Sequence, residues 1–259
     1  MNRVALDLGV FQIYWYSLFI LLGILVALGV ILKEIKKNNF DKDKFIDMAI
    51  YAIIIGIIGA RVYYVIFNFS YYINNPLEII EIYKGGLAIH GGILAGCLYI
   101  IYYTRKNKID TLKILDMVVV GLIIAQAIGR WGNFFNKEAY GVVTTYSHLK
   151  SLLLPDFIIN GMKIDGNYYT PTFLYESIWN VIGFIILLLI RNNKNVRIGQ
   201  LSGIYLVWYS LGRFFIESMR LDSLMIGSFR MAMIMSTILF IIGVILIVTG
   251  RNRNLYNKK

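Results

Sequence analysis

Residues 15–32 read WYSLFILLGILVALGVIL, a run that contains no charged side chain. An α-helix rises about 1.5 Å per residue, so roughly 20 such residues cross the ~30 Å hydrocarbon core of a bilayer. Similar apolar stretches follow at about 46–67, 87–104, 114–131, 173–190, 201–218 and 231–249. The sequence therefore predicts an all-α integral membrane protein with about seven transmembrane helices.

The composition agrees with this class. Of the 259 residues, 58% are hydrophobic and 16% are charged, whereas soluble domains carry about 25% charged residues. The net charge of +11 does not indicate a nucleic-acid partner, because the Lys and Arg residues form short clusters between apolar stretches. The one cysteine, Cys97, and the two histidines lack the spacing of a metal site. We expect no metal and no other cofactor.

The basic clusters predict the orientation in the membrane. Sixteen of the 26 Lys and Arg residues lie in four segments, 33–44, 105–113, 191–197 and 251–259, and seven lie in the longer connections on the opposite side. Short loops rich in Lys and Arg stay in the cytoplasm. We therefore expect the N-terminus outside, the C-terminus in the cytoplasm, and residues 1–259 as a single multi-pass membrane domain.

Three polar segments are expected outside the hydrocarbon core. Residues 137–170 carry Gly, Asn and Asp with short apolar runs and predict a small extracytoplasmic head between helices 4 and 5. Residues 1–14 predict an interfacial N-terminal arm. Residues 68–86, which contain Pro76 and several Leu and Ile side chains, predict a second interfacial arm with a short helix.

Three arginines, Arg61, Arg130 and Arg213, lie inside predicted helices. An arginine at the bilayer centre costs about 2.5–3.5 kcal/mol on insertion scales, so such residues indicate functional sites. All three helices run outward, and each arginine lies roughly 18–24 Å along its axis, in the outer third of the membrane. Snorkelling to the headgroups is the alternative, and for Arg61 both interpretations stay open.

The descending helices also begin with polar residues, namely Tyr16, His90 and Glu176. Snorkelling explains arginines but not a histidine and a carboxylate at the same depth, which favours a shared site near the outer leaflet. His90 lies in the run GGLAIHGG at residues 85–92. Its glycines fit either close approach to a ligand or helix packing, and both interpretations stay open.

Residues 129–141 read GRWGNFFNKEAYG and form the most specific local signal. An arginine, two amides and a carboxylate follow one another where a helix leaves the membrane: Arg130, Asn133, Asn136 and Glu138. Each unsatisfied polar group there costs several kcal/mol, so this density indicates function.

The sixth predicted helix carries Tyr209, Arg213, Glu217 and Arg220 at positions i, i+4, i+8 and i+11, which predicts one polar face. Glu217 can pair with either arginine and orient its guanidinium for a planar anion such as phosphate. A purely structural ion pair is the alternative.

Taken together, these motifs resemble those of the prolipoprotein diacylglyceryl transferase family, and the matches extend from about residue 15 to 222. The 129–138 run with Gly141 is similar to the family signature, and the 85–92 run to its histidine motif. The other matching segments are PTFLYE at 171–176, the late arginine region from Tyr209 to Arg220, and the early tyrosine at Trp15–Tyr16.

Two positions depart from the family pattern. Thr170 stands where the family often has histidine, and Phe173 where it often has glutamine. We expect only the hydrogen bonding around Glu176 to differ from the family in consequence.

The resemblance implies transfer of the diacylglyceryl group of phosphatidylglycerol to the lipobox cysteine thiol of a preprolipoprotein signal peptide, with release of glycerol phosphate. It implies a site that faces the outer leaflet of the bacterial inner cell membrane. We expect catalytic roles for His90, Arg130, Glu138 and Arg213, and substrate-binding roles for Tyr16, Arg61, Asn133, Asn136, Gly141, Glu176, Tyr209, Glu217 and Arg220. His90 either deprotonates the thiol or donates to the leaving group, and the sequence does not choose between these roles.

Three other classes of membrane protein share some of these features. An anion transporter or channel would also carry intramembrane arginines, but it should show repeats or broken spans near the midplane. An intramembrane serine protease needs a Ser–His pair in a Gly-x-Ser context, and a purely structural protein needs no intramembrane arginine. The sequence shows no repeats, no broken spans and no such Ser–His pair, and it carries three intramembrane arginines, so the transferase is favoured.

Overall fold

The computed structural model describes residues 3–7, 9, 12–82, 85–221, 223, 225–227 and 229–257. This part of the chain is mostly helical, and each apolar stretch of the sequence lies in a long helix. The long helices are α1 (Trp15–Lys37), α2 (Lys42–Phe67), α4 (Ile89–Lys106), α5 (Thr111–Asn136), α8 (Thr172–Arg191), α9 (Gln200–Ser218) and α10 (Met231–Gly250).

Within the described ranges, five helices are long and apolar enough to cross a membrane: α1, α2, α5, α8 and α10. The other two, α4 and α9, have the length but carry more polar side chains, including His90 in α4 and the Arg213–Glu217 pair in α9. A multi-pass membrane protein is therefore supported, and the expected number of seven spans stays a prediction.

The chain divides into two compact units. The large unit comprises Met1–Glu34 and Leu115–Lys259, and the small unit comprises Ile35–Ile114. The large unit thus contains most of α1 and α5 together with α8, α9 and α10, and the small unit contains α2 and α4. That the two units form the expected single membrane domain stays a prediction.

Short elements connect the long helices, and some of them are strands, which the all-α prediction did not include. Two antiparallel hairpins pair β1 (Val4–Asp7) with β2 (Gln12–Tyr14) and β6 (Met225–Ile226) with β7 (Phe229–Arg230). In place of the single short helix expected within 68–86, the chain forms α3 (Phe69–Tyr72) and a 3₁₀ turn (Pro76–Ile80). Proline at the first position suits this turn, since it has no N–H to satisfy.

Residues 137–170 fold into a small layer of two short helices and one sheet. The helices are α6 (Tyr146–Ser151) and α7 (Asp156–Gly161), and the sheet has the antiparallel order β3–β5–β4 (Val143–Thr144, Asn167–Tyr169 and Lys163–Ile164). Its core packs on the end of α5 and the start of α8, and its buried members are Phe134, Leu149, Ile158, Ile159, Met162 and Phe173. The expected position of this segment outside the membrane stays a prediction.

An exposed ion pair lies on the surface of this segment. Lys150 Nζ donates to Asp156 Oδ1 over 2.8 Å. This hydrogen bond lowers the pKa of Asp156 and raises the pKa of Lys150. Both groups are exposed, so the pair adds little to stability.

Helices α8 and α9 are joined by a reciprocal tryptophan–glycine arrangement. The rings of Trp179 and Trp208 stack with centroids 4.3 Å apart, and each indole N–H donates to the other residue's backbone carbonyl, over 2.9 and 3.0 Å. Each indole lies on a glycine of the opposite helix, Gly212 for Trp179 and Gly183 for Trp208, where any side chain would overlap it. This packing fixes α8 against α9 along the length that carries the polar residues.

A buried carboxylate from α5 caps the N-terminus of α9. Asp116 accepts hydrogen bonds from Gly199 N (2.5 Å), Ser202 N (2.8 Å) and Ser202 Oγ (2.6 Å), and it is fully buried. The first N–H groups of a helix have no partner within the helix, and a negative charge there is favourable. Asp116 therefore ties α5 to α9 through the helix terminus.

The described end of the chain is docked onto the large unit. Tyr256 is fully buried; its hydroxyl donates to Glu34 Oε1 over 2.8 Å, and Glu34 also pairs with Arg191 Nε at 3.3 Å. Burial and the nearby Glu34 carboxylate raise the pKa of Tyr256. Backbone bonds from Tyr256 N to Val196 O and from Ile198 N to Asn254 O complete the attachment.

We expect Asp116→Ala to lower the free energy of unfolding by about 2–3 kcal/mol, because three donors, two of them at a helix N-terminus, lose a charged acceptor. The measurement is unfolding of the purified protein in detergent. As a matched control, Asp47→Ala removes an exposed carboxylate from α2 and should change stability by at most about 0.5 kcal/mol. Equal losses for the two variants would contradict the capping role.

Candidate functional site

A carboxylate shared by two arginines lies at the centre of the polar residues in the large unit. Glu176, in the second turn of α8, has Oε2 2.6 Å from Arg130 Nε of α5 and Oε1 3.0 Å from Arg213 Nη1 of α9. The Glu176 side chain is 6% exposed. The sequence predicts a substrate-binding role for Glu176, and the structure places its carboxylate between two arginines.

The chain of charges continues along α9. Arg213 Nη2 lies 2.7 Å from Glu217 Oε2, as the i, i+4 spacing predicted, and Arg220 Nη1 lies 3.7 Å from the same oxygen. The prediction of one helical face is wrong for Arg220, because α9 ends at Ser218. Arg220 instead forms a β-bridge with Gly141 and reaches Glu217 from beyond the helix.

We call Arg130, Glu176, Arg213, Glu217 and Arg220 the arginine network. Its three cations alternate with two anions, which leaves it one positive charge in excess. The carboxylates are buried, whereas the Arg130 and Arg213 side chains are 21% and 17% exposed. Charge-assisted bonds to buried carboxylates hold the guanidinium planes in place. The accessible part of the network is therefore cationic and can receive an anion.

A second branch leaves the network at Arg130. Arg130 Nη1 approaches Asn133 Oδ1 at 3.4 Å, and Asn133 Nδ2 donates to Glu138 Oε1 over 2.8 Å. Asn136 Nδ2 lies 3.5 Å from the same Glu138 oxygen. The structure therefore brings together the four polar residues of the 129–138 run, with Glu138 as the acceptor that orients both amides.

This branch opens into a cleft of about 400 Å³. The cleft brings the predicted residues Tyr16, Asn136 and Glu138 together with residues that the sequence did not single out: Arg3, Tyr14, Ser17 and Lys137. The Tyr16 ring lies directly on Gly132 of α5, where a β-carbon would be 2.8 Å from the ring. The cleft thus joins the start of α1 to the end of α5 and has hydroxyl, amide, carboxylate and cationic groups on its walls.

Gly141 lies where the segment after α5 packs closely on two other segments of the large unit. Its N–H donates to Thr170 O over 2.9 Å, and a β-carbon would lie 3.0–3.1 Å from Thr170, Thr172 and the Met219 carbonyl. Thr172 Oγ1 in turn donates to the Ala139 carbonyl. These contacts hold the segment after α5 against the start of α8 and the end of α9.

The two departures from the family pattern take structural positions. Thr170 Oγ1 donates to Val142 O over 3.0 Å. Phe173 is buried and stacks on Phe134 at 4.6 Å between centroids. Among the described residues, the Glu176 carboxylate forms ion pairs with Arg130 and Arg213.

Tyr209 lies one helical turn before Arg213, and its ring stacks on Tyr205 at 5.9 Å between centroids. The Tyr205 hydroxyl accepts a hydrogen bond from Gln126 Nε2 over 2.9 Å. Tyr209 is therefore held by an aromatic partner that is itself anchored to α5.

In the small unit, the Arg61 side chain is hydrogen-bonded to backbone carbonyl groups. Its guanidinium donates to the carbonyls of Ile79 (2.8 Å), Gly85 (2.8 Å), Gly86 (2.9 Å) and Glu78 (2.5 Å), and the side chain is buried. Arg61 thereby fixes the segment that leads into α4. Snorkelling to the headgroups and a contact with lipid both stay predictions.

His90 lies in the first turn of α4 and is exposed. The glycines that follow it, Gly91 and Gly92, pack on α2 at Gly59 and Gly56. Of the two interpretations left open for these glycines, the structure supports helix packing. His90 thus stands on a helix start whose position is fixed by α2.

One basic residue joins the network without having been predicted. Arg230, the residue before α10, donates to the backbone carbonyl of Glu217. In the sequence, Arg230 is one of the seven basic residues of the longer connections, where a basic residue beside an apolar run is a common topology signal.

Comparison with known proteins agrees with these motifs. The sequence model of the family described as "Prolipoprotein diacylglyceryl transferase" matches residues 3–249. A protein of Listeria monocytogenes serotype 4b named "Phosphatidylglycerol--prolipoprotein diacylglyceryl transferase" is 50% identical over 251 residues, which are 97% of this chain and 90% of that protein.

Proteins of the same name in Bacillus cytotoxicus and Bacillus cereus are each 46% identical over 259 residues, which are 100% of this chain and 96% of those proteins. The family match and the relatives both cover nearly the whole chain, including every residue of the arginine network. The chain therefore belongs to the prolipoprotein diacylglyceryl transferase family.

Proposed function

We propose that the arginine network binds the phosphate of phosphatidylglycerol and stabilises it as the leaving group. The chain is a transferase that moves the diacylglyceryl group from phosphatidylglycerol to a prolipoprotein during lipoprotein maturation, as the names of its relatives state. The acceptor in this proposal is the thiol of the lipobox cysteine. The observation that carries the proposal is the Glu176 carboxylate, 2.6 and 3.0 Å from two partly accessible arginines.

The reaction joins sulfur to carbon and releases a phosphate monoester. The cysteine thiol first loses its proton, since the thiolate is the nucleophile and a free thiol has a pKa of about 8.5. The thiolate attacks the diacylglyceryl carbon that bears the phosphate, the carbon–oxygen bond breaks, and the electron pair stays on the phosphate oxygen. Glycerol phosphate leaves, and its new charge is the one that the protein must stabilise.

Arg130 and Arg213 suit this task because they are already oriented. Donors fixed in a site with little water stabilise developing charge without reorganising, and one such donor typically contributes about 2.7–4 kcal/mol. The buried carboxylates of Glu176 and Glu217 supply that orientation. Arg220 and Arg230 secure Glu217 from the far side and need not touch substrate.

The cleft beside the network supports binding of the glycerol headgroup. Glu138, Asn133 and Asn136 form a hydrogen-bonded set next to Arg130, and Tyr16 lines the same cleft. Carboxylate and amide groups pair well with hydroxyls. Glu138 is thereby assigned to orient either the amides or the glycerol hydroxyls, and Tyr209 to shape the site beside Arg213.

His90 is proposed as the group that accepts the thiol proton, with donation to the leaving group as its other possible role. It is exposed in the first turn of α4, and Arg61 holds the preceding segment. Histidine is the most common general base in enzymes. Arg61 is assigned a positioning role in this proposal.

Seven spans are proposed, with the N-terminus and residues 137–170 outside and the C-terminus in the cytoplasm. This orientation is supported by the sixteen basic residues in the four short segments, which the distribution of Lys and Arg assigns to the cytoplasm. The arms at 1–14 and 68–86 are proposed to lie in the interface, where Leu77 and Ile80 of the second arm are strongly exposed. The site then faces the outer leaflet of the bacterial inner membrane, where both membrane-held substrates reach it laterally.

Purified protein, incubated with phosphatidylglycerol and a lipobox peptide, is expected to add one diacylglyceryl group to the peptide, as mass spectrometry would show. A matched peptide with serine in place of cysteine should gain nothing, because an alcohol is not ionised at neutral pH. Modification of the serine peptide would exclude the thiolate mechanism, and modification of neither peptide would exclude the function.

In the same assay, Glu176→Gln is expected to lower transfer about 10²–10³-fold, because two guanidinium groups lose the anion that orients them. Asp156→Asn is the matched control, since it removes an exposed carboxylate that also pairs with a basic side chain. Thermal unfolding separates loss of activity from loss of fold. A folded Glu176→Gln protein with full activity would remove the network from the mechanism.

His90→Ala is expected to lower transfer at pH 7, and the ratio of wild-type to variant rates should shrink as the pH is raised to about 9.5. At that pH solvent alone ionises the thiol, since its pKa is about 8.5. His148→Ala, which removes an exposed histidine from α6, serves as the control. A ratio that stays constant with pH would contradict the role of His90 as the group that accepts the thiol proton.

A further inference from the structure

Helices α9 and α10 enclose an apolar groove of about 230 Å³ in the large unit. Its walls are aliphatic and aromatic except for three hydroxyls, and its lining residues are Ser210, Leu211, Phe214, Phe215, Ser236, Thr237 and Phe240. An engineered apolar cavity of about 150 Å³ in another protein holds an aromatic ring. The groove therefore has room for several methylene groups.

Ser210 differs from the other hydroxyls of the groove. Its side chain is 1% exposed, and within the described part of the chain its Oγ has no hydrogen-bond partner. Ser236 and Thr237 instead donate to the carbonyls one turn earlier, over 2.7 and 3.0 Å. An unpaired hydroxyl in apolar surroundings is unfavourable. Ser210 thus presents a buried donor that lacks an acceptor.

A molecule that enters the groove can supply the acceptor that Ser210 lacks. A peptide helix in a membrane satisfies its own carbonyls, so the apolar part of a signal peptide offers Ser210 nothing to bind. A glycerolipid has ester carbonyls at the junction of its chains and its headgroup. An ester-linked lipid therefore matches both the apolar walls and the unpaired hydroxyl.

One wall of the groove lies near a residue of the arginine network on α9. Ser210 and Arg213 are three residues apart on α9, so they lie on neighbouring positions of one face, roughly 4.5 Å apart along the axis. Arg213 is cationic and partly accessible, and the phosphate of a phospholipid is anionic. Charge and hydrogen bonding therefore select the same molecule.

We propose that the α9–α10 groove holds one acyl chain of phosphatidylglycerol, and that Ser210 Oγ–H donates to the ester carbonyl of that chain. The proposal rests on the function proposed above, since it places the phosphate of the same lipid at Arg213. Ser210 is then a substrate-binding residue that recognises the linkage of the chain and takes no part in the chemical step.

The test compares diacyl phosphatidylglycerol with its dialkyl ether analogue, which has the same chains and headgroup but no ester carbonyl. Wild type should bind the diacyl lipid about fivefold more tightly, the ratio expected for one neutral hydrogen bond. Ser210→Ala should abolish this preference, while its thermal unfolding temperature stays equal to wild type or rises. Thr249→Ala, in which a helix hydroxyl outside the groove is removed, should keep the preference.

A second variant fills the groove. Thr237→Trp should raise the KM for long-chain phosphatidylglycerol and leave the KM for a short-chain analogue nearly unchanged. A raised KM for the peptide with an unchanged KM for the lipid would show that the groove receives the signal peptide, and would overturn the proposal.

Binding is measured directly by displacement of a labelled lipid from the protein in detergent, so it does not depend on turnover. An ester preference that persists in Ser210→Ala, or that is absent in wild type, would overturn the Ser210 assignment even where transfer proceeds. Ester-selective binding without transfer would instead overturn the proposed function and leave a lipid site.

Discussion

The sharing of one buried carboxylate by two guanidinium groups is the interaction on which the site depends. Without Glu176, Arg130 and Arg213 would be like charges brought together in surroundings of low dielectric constant, where repulsion is strong. With it, the two cations attract a common partner and become rigid. Removing one partner of a buried ion pair lowers stability far more than replacing the whole pair by well-packed apolar residues. The transferase thus keeps its cationic surface only because an anion lies beneath it.

That interaction requires three helices to be held at fixed distances, and the packing supplies this. Trp179 and Trp208 lock α8 to α9, and Asp116 locks α5 to the start of α9. Ser177, the residue after Glu176, donates to the Ala127 carbonyl and ties α8 to α5 beside the site. Each contact uses a polar atom that is satisfied by another helix, as an apolar environment demands.

Sequence patterns predicted the helices well because length and hydropathy are local properties. The i, i+4 pairing of Arg213 with Glu217 was also predictable, since it depends on helix geometry alone. The central place of Glu176 was not, because its partners are 46 and 37 positions away and depend on how the helices pack. The backbone partners of Arg61, the cap formed by Asp116 and the role of Arg230 were not predicted for the same reason. The short hairpins were not predicted because they have no clear pattern in the sequence.

The attachment of Tyr256 to Glu34 has a consequence for how the chain matures in the cell. Glu34 is synthesised early, whereas its partner Tyr256 lies 222 positions later, after α10. The small unit, residues 35–114, is made in the interval between the two parts of the large unit. The large unit therefore closes around Glu34 only after the small unit and helices α8, α9 and α10 have been synthesised.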